Sequence, residues 1–177
     1  GDLLIDITCE TDYMKLATIK DPNKINSLHL YIDQRKEQFE LHRLYQQLLK
    51  TYSHMPRLNH ISLFLAFGST FESIISFSTG LLLEQNLRKM IGTVGICAGS
   101  EFDIEGVKSF LDRLPELQNV IFAFDDPKNA MNITAELLTV LDKKKIKRIA
   151  FRTEEIDAYK NKGIVTLGSH LSPFTSL

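Results

Sequence analysis

Among residues whose type could do chemistry, Cys97 stands out. It ends the apolar run Val94, Gly95, Ile96 and is followed by Ala98, Gly99 and Ser100. A thiol at a strand end just before a helix can be activated as a nucleophile, provided a base lies near. The five histidines, at 29, 42, 54, 60 and 170, are scattered and none is adjacent in sequence. The better expectation is a small, buried side chain. Asp125 and Asp126 fall at a strand end, where carboxylates could hold a metal, but Asp126-Pro127 is first of all a turn signal. Gly92, Gly95 and Gly99 match no phosphate-cradling pattern, and two of them fall within a strand instead of after it. No catalytic residue, cofactor or metal is therefore expected.

The elements that position these residues come from a repeat. A triplet of apolar residues, spaced as apolar, two residues, apolar, one residue, apolar, returns five times. The copies are Ile25, Leu28, Leu30; Leu58, Ile61, Leu63; Ile91, Val94, Ile96; Leu117, Val120, Phe122; and Ile146, Ile149, Phe151. Successive starts are 33, 33, 26 and 29 residues apart. Such a period is the signature of a repeat architecture. Alternation makes each copy a strand, with Leu28, Leu30 and Ile32 facing one way and His29 and Tyr31 the other. Leu3 to Thr8 reads as a degenerate or capping copy.

Helical stripes lie between the copies. One runs through Phe39, Leu41, Leu44, Tyr45, Leu48 and Leu49. A second runs through Ile104, Val107, Phe110, Leu111 and Leu114, with Asp103 as its N-cap. A third runs through Ile133, Leu137, Leu138 and Leu141, capped by Asn132, with Lys143 to Lys145 at the end where cations suit the helix dipole. Thr70 to Met90 is apolar enough for a fourth, weakened by Gly80. Pro22, Pro56, Pro115 and Pro127 mark the turns. Units are thus expected near 25–57, 58–90, 91–116, 117–145 and 146–177, with 1–24 a cap or degenerate repeat. Gly163 to Leu167 is a candidate further strand.

Repeated β-α order demands parallel strands with right-handed crossovers. A solenoid of about five units with strands in sequential order fits. So does a doubly wound sheet, the alternative, with a ligand site at the strand ends near Cys97. Strands buried on both faces read as unbroken apolar runs. Here the alternate positions are mostly small or polar, which predicts one exposed face and favours the solenoid. That face would carry the partner-binding residues His29, Tyr31, Ser62, Phe64, Cys97, Ile121 and Arg152, flanked by Gly95, Ala123 and Ala150.

These units resemble leucine-rich repeats. Two also carry a proline just upstream of the strand, at Met55-Pro56-Arg57-Leu58 and Leu114-Pro115-Glu116-Leu117, similar to the divergent F-box-type (ribonuclease-inhibitor-like) repeats. Proline there ends the helix and sets an extended entry. The resemblance covers residues 25 to 153. It departs from the family at the usual asparagine positions, which hold Asp33, Ala66, Gly99, Asp125 and Glu154. The resemblance implies a protein-interaction domain, used for substrate recognition or scaffolding in a complex such as an F-box-type ubiquitin ligase. A structural assembly subunit is a further alternative.

Composition agrees with a protein partner over other classes. The 177 residues are 44% hydrophobic and 24% charged, with net charge −1. Phosphate-coating proteins carry a basic excess that is missing here. Two cysteines without a CxxC predict neither a disulfide framework nor a zinc site, and an intracellular chain, cytoplasmic or nuclear. No apolar run reaches the roughly 18 residues of a membrane span. Neither nucleic acid nor a membrane surface is therefore expected as a partner.

Overall fold

A computed structural model describes residues 1–37, 39, 41–66, 85–98, 104–124, 135–141 and 146–152. Six strands form one sheet: β1 Asp2–Ile7, β2 Ser27–Asp33, β3 His60–Ala66, β4 Ile91–Ala98, β5 Asn119–Phe124 and β6 Arg148–Arg152. All pairings are parallel, and the spatial order follows the chain from β1 to β6. No reversal of strand order occurs among these six, so the crevice expected of a doubly wound sheet is not formed by them. The Leu3–Thr8 segment, expected as a degenerate or capping copy, falls on the strand Asp2–Ile7.

Helices follow most strands. They are α1 Met14–Ala17, α2 Leu41–Tyr52, α3 Gln85–Met90, α4 Ile104–Asp112 and α5, residues 135–141. Leu16, Leu44, Leu48, Leu87, Val107, Phe110, Leu111, Leu137 and Leu141 from these helices share one core with Ile5, Leu30, Leu63, Val94 and Val120 from the strands. Each described helix thus packs its stripe on the same side of the sheet. Gly80, Asp103, Asp125, Asn132, Lys143 to Lys145 and the Gly163–Leu167 run lie outside the described residues.

Prolines 56 and 115 fall in turns, as their turn signals predict, with the preceding helices already ended at Tyr52 and Asp112. Leu58 N–H donates to the Met55 carbonyl at 3.2 Å, and Leu117 N–H to that of Leu114 at 3.4 Å. Both tight turns lead into the next strand. The triplets, however, are not all in one register. Leu63 pairs with Val94 and Leu65 with Ile96, so the third copy sits two residues further along than the alignment of triplets implies. An irregularity between Ile61 and Ser62 opposes Gly92 as an extra residue, a bulge that sequence spacing alone does not reveal. Side-chain period is two, so the slip leaves the core-facing set intact.

The loop after β2 is tied down by a side chain. Gln34 is buried, and its Nε2 donates to the Phe39 carbonyl at 2.7 Å while its own N–H reaches the Ala66 carbonyl at 2.8 Å. The loop backbone is thus bonded by a side chain at this point. Asp33 accepts from the Arg35 N–H and guanidinium. That pairing holds its carboxyl below the usual carboxylate range, although burial alone would raise it.

Candidate interaction face

The second side of the sheet carries the predicted partner-binding residues. Strand pairing sets them in rows. One row is Asp6, Tyr31, Phe64, Gly95, Ile121 and Ala150; the next toward the strand ends is Asp33, Ala66, Cys97, Ala123 and Arg152. Toward the strand starts lie Leu4, His29, Ser62, Thr93, Asn119 and Arg148. Tyr31, Phe64, Ala66, Cys97, Ile121, Ala123 and Ala150 form an apolar cluster separate from the helix-bearing core. No described helix contributes to it.

The exposure expected of this face is not found. Phe64 is 1% exposed, Tyr31 4% and Cys97 2%, and His29, Ser62 and Ile121 are buried as well. Small residues do not by themselves mark a solvent-facing side, since alanine, glycine and cysteine are as much at home in an interior. Here they make room for large neighbours. The Phe64 ring lies over Gly95, where an added Cβ would come within 2.5 Å of it. Phe64 also stacks on Tyr31, with ring centroids 4.6 Å apart and planes 15° apart. The side chain of Arg152 lies outside the described residues. What remains open on this side is the margin: Asp2, Leu4 and Arg148 are exposed, Leu4 by 46%.

Polar groups cluster toward the starts of β2 to β5. His29 and His60 face each other with ring centroids 6.1 Å apart, and His60 Nε2 lies 3.1 Å from Ser62 Oγ. Asn119 Nδ2 donates to Thr93 Oγ1 at 3.2 Å. Burial lowers the pKa of both histidines; nearby Asp2 opposes this, and His60 depresses His29 further. Burial also pushes the Tyr31 phenol well up, helped by the charge of Asp6. Among the described residues on this side, His29 Nδ1 and the Tyr31 hydroxyl are buried without a hydrogen-bond partner. A buried group in that state costs free energy and calls for an explanation.

Among the described residues, Cys97 and the His29–His60 pair are not brought together. Cys97 is at the far end of the strands from the His29–His60 pair, and the side chain of His42 and all of His170 lie outside the described residues. Ser62 and His60 touch, but Ser62 sits in mid-sheet among packed side chains. Among the described residues no three His, Cys, Asp or Glu side chains are grouped to hold a metal. On the helix side, a cleft of about 290 Å³ lies between α1 and α2, floored by Leu16 and Ile19 and rimmed by Lys50 and His54. It is at the lower limit of ligand-pocket size.

Asp2, Leu4 and Asp6 are not among the expected site residues, because Leu3 to Thr8 reads only as a degenerate or capping copy of the triplet. The signal was present: Leu3, Ile5 and Ile7 alternate with them, as in any half-buried strand. Compared with known proteins, the chain matches no family model, no curated protein and no solved structure. No described helix is long and apolar enough to cross a membrane.

Proposed function

We propose that this chain is a leucine-rich-repeat-like solenoid that binds another protein and carries out no reaction of its own. The observation that carries the reading is the sequential, all-parallel strand order with every described helix on one side of the sheet. Stacked repeats that contact only their neighbours have this organisation, and they serve as extended binding surfaces. The two proline-led turns and the loop bond from Gln34 fit the same reading.

Contact with the partner falls on the margin of the second side, where Leu4 and Arg148 are exposed, while Phe64, Cys97 and Ile121 form the packed platform beneath. Recognition of a substrate or scaffolding in a larger complex, of the F-box-type ligase class, is the role this reading suggests. The test is selective capture of partners from a cell extract by three forms of the chain. Leu4→Asp with Arg148→Glu should lose proteins that the natural chain retains. Arg43→Glu with Lys50→Glu, on the helix side, should keep them. Equal retention by all three forms would remove the sheet-side assignment.

A further inference from the structure

We propose that the cleft between α1 and α2 binds a small amphipathic carboxylate, an anionic head on an alkyl chain of about eight carbons. This site lies on the helix side. It goes beyond the interaction-domain reading and does not depend on it.

Two walls make the cleft. The end of α1 and the turn after it supply Leu16, Ala17, Ile19 and Pro22. The second half of α2 and the residues just after it supply Gln47, Lys50, Thr51 and His54, at the spacing of one helix face. The first wall is apolar. Leu16 is buried, Ile19 and Pro22 are half-buried and Ala17 is exposed, so an alkyl chain entering here covers apolar surface that water otherwise wets. The walls are tied together from below. Thr51 is buried, and its hydroxyl is shared between the Leu16 carbonyl, at 3.3 Å, and the Gln47 carbonyl, at 2.8 Å. The site is therefore formed before any ligand arrives. Its volume of about 290 Å³ holds about ten non-hydrogen atoms at roughly 30 Å³ each.

The rim selects the head group. Lys50 and His54 are both exposed there, and the Gln47 amide beside them reaches Thr51 Oγ1 at 3.4 Å. The segments that build the cleft, residues 16–24 and 47–54, carry Lys20, Lys24 and Lys50 against a single acid, Asp21. The local field therefore favours an anion and repels a cation. A carboxylate has two acceptor oxygens, one for the Lys50 ammonium and one for a ring N–H of His54. A neutral head forgoes the charge-assisted bond to Lys50. One ammonium on the rim matches a head of single charge, so a carboxylate suits it better than a doubly charged phosphate.

The test titrates the full chain, its methyl groups isotope-labelled for NMR, with octanoate, and with octylamine, octanol and acetate for comparison. Octanoate should saturate the chain with a dissociation constant on the order of 1 mM, the range open to a ligand of about ten atoms. Its shifts should centre on the methyl groups of Leu16, Ala17, Ile19 and Thr51. Octylamine and octanol lack the charge match and acetate lacks the chain, so each should bind at least about fivefold more weakly. Lys50→Glu should weaken octanoate binding about fivefold or more. Arg43→Glu makes the same charge change at an exposed position of α2 outside the cleft, and should leave binding within about twofold. Ala17→Phe, also at an exposed position, should fill the cleft and weaken binding at least about tenfold with the circular dichroism spectrum unchanged. Octylamine or octanol binding as tightly as octanoate would overturn the proposal. So would no saturation by about 10 mM, shifts centred away from the cleft, or indifference to both Lys50→Glu and Ala17→Phe.

Discussion

Replacing Gly95 by alanine should destabilise the chain, although the same change in most strands would help it. The intrinsic effect favours alanine by about 0.5–1 kcal/mol, because glycine loses more backbone freedom on folding. Against this, the new methyl would stand 2.5 Å from Phe64 Cδ1 and 2.8 Å from Cε1, where ordinary contact begins at 3.4 Å. The ring would have to retreat by about 0.9 Å. It is 1% exposed and stacked on Tyr31 at 4.6 Å, so there is little free space to retreat into. Overpacking of this kind costs about 1–3 kcal/mol. The net loss should be about 1–2 kcal/mol, a fall in melting temperature of about 2–8 °C for a chain of this size. Urea unfolding followed by circular dichroism measures it. Adding Phe64→Leu to Gly95→Ala should cost less than the two single changes together, by about 0.5 kcal/mol or more, since the shortened side chain relieves the clash. A Gly95→Ala chain as stable as the natural one, or strict additivity of the pair, would refute the packing described for this face.

Other outcomes follow from the same residues. His29 and His60 are held below their ordinary pKa by burial, so the unfolded chain takes up protons first as pH falls below about 6.5. Stability should therefore decline from about pH 7.5 to 5.5, and the decline should be shallower in His29→Asn; urea midpoints across that range decide it. Gln34→Ala leaves the Phe39 carbonyl without its donor and should cost about 1–2 kcal/mol, read from the same unfolding curves. Asp12 accepts from Thr8 N–H and Oγ1 and pairs with Lys15, which outweighs burial and sets its pKa at about 2. Its contribution is present above about pH 4 and lost as pH drops through about 2, so Asp12→Asn should lower stability at neutral pH but not at pH 2. Cys97 should react with a thiol reagent on the order of a hundredfold more slowly than the half-buried Cys9, and a fast Cys97 would revive its reading as a nucleophile.

The strand order and the helix stripes could be read from the sequence because both depend on period. Apolar triplets about 30 residues apart, with Leu44, Leu48, Val107 and Phe110 between them at helical spacing, leave few ways to build a sheet. Register could not be read, since the bulge opposite Gly92 changes pairing without changing the pattern of apolar residues. Burial of the second face was misjudged for a related reason. Ala123, Ala150 and Gly95 look alike whether they face water or make space for Phe64 and Ile121, and only the neighbouring strands distinguish the two. β1 carries no complete apolar triplet, so its exposed positions Asp2 and Leu4 have no place in the repeat pattern.

The central claim is that this stack of strands binds a protein through the sheet's second side. The most direct measurement is amide hydrogen exchange of the full chain with and without a partner purified by capture. The account predicts slower exchange along β1 and near Arg148, with α2 and α4 unchanged. Protection confined to the helices, with β1 and β6 exchanging as before, would contradict it.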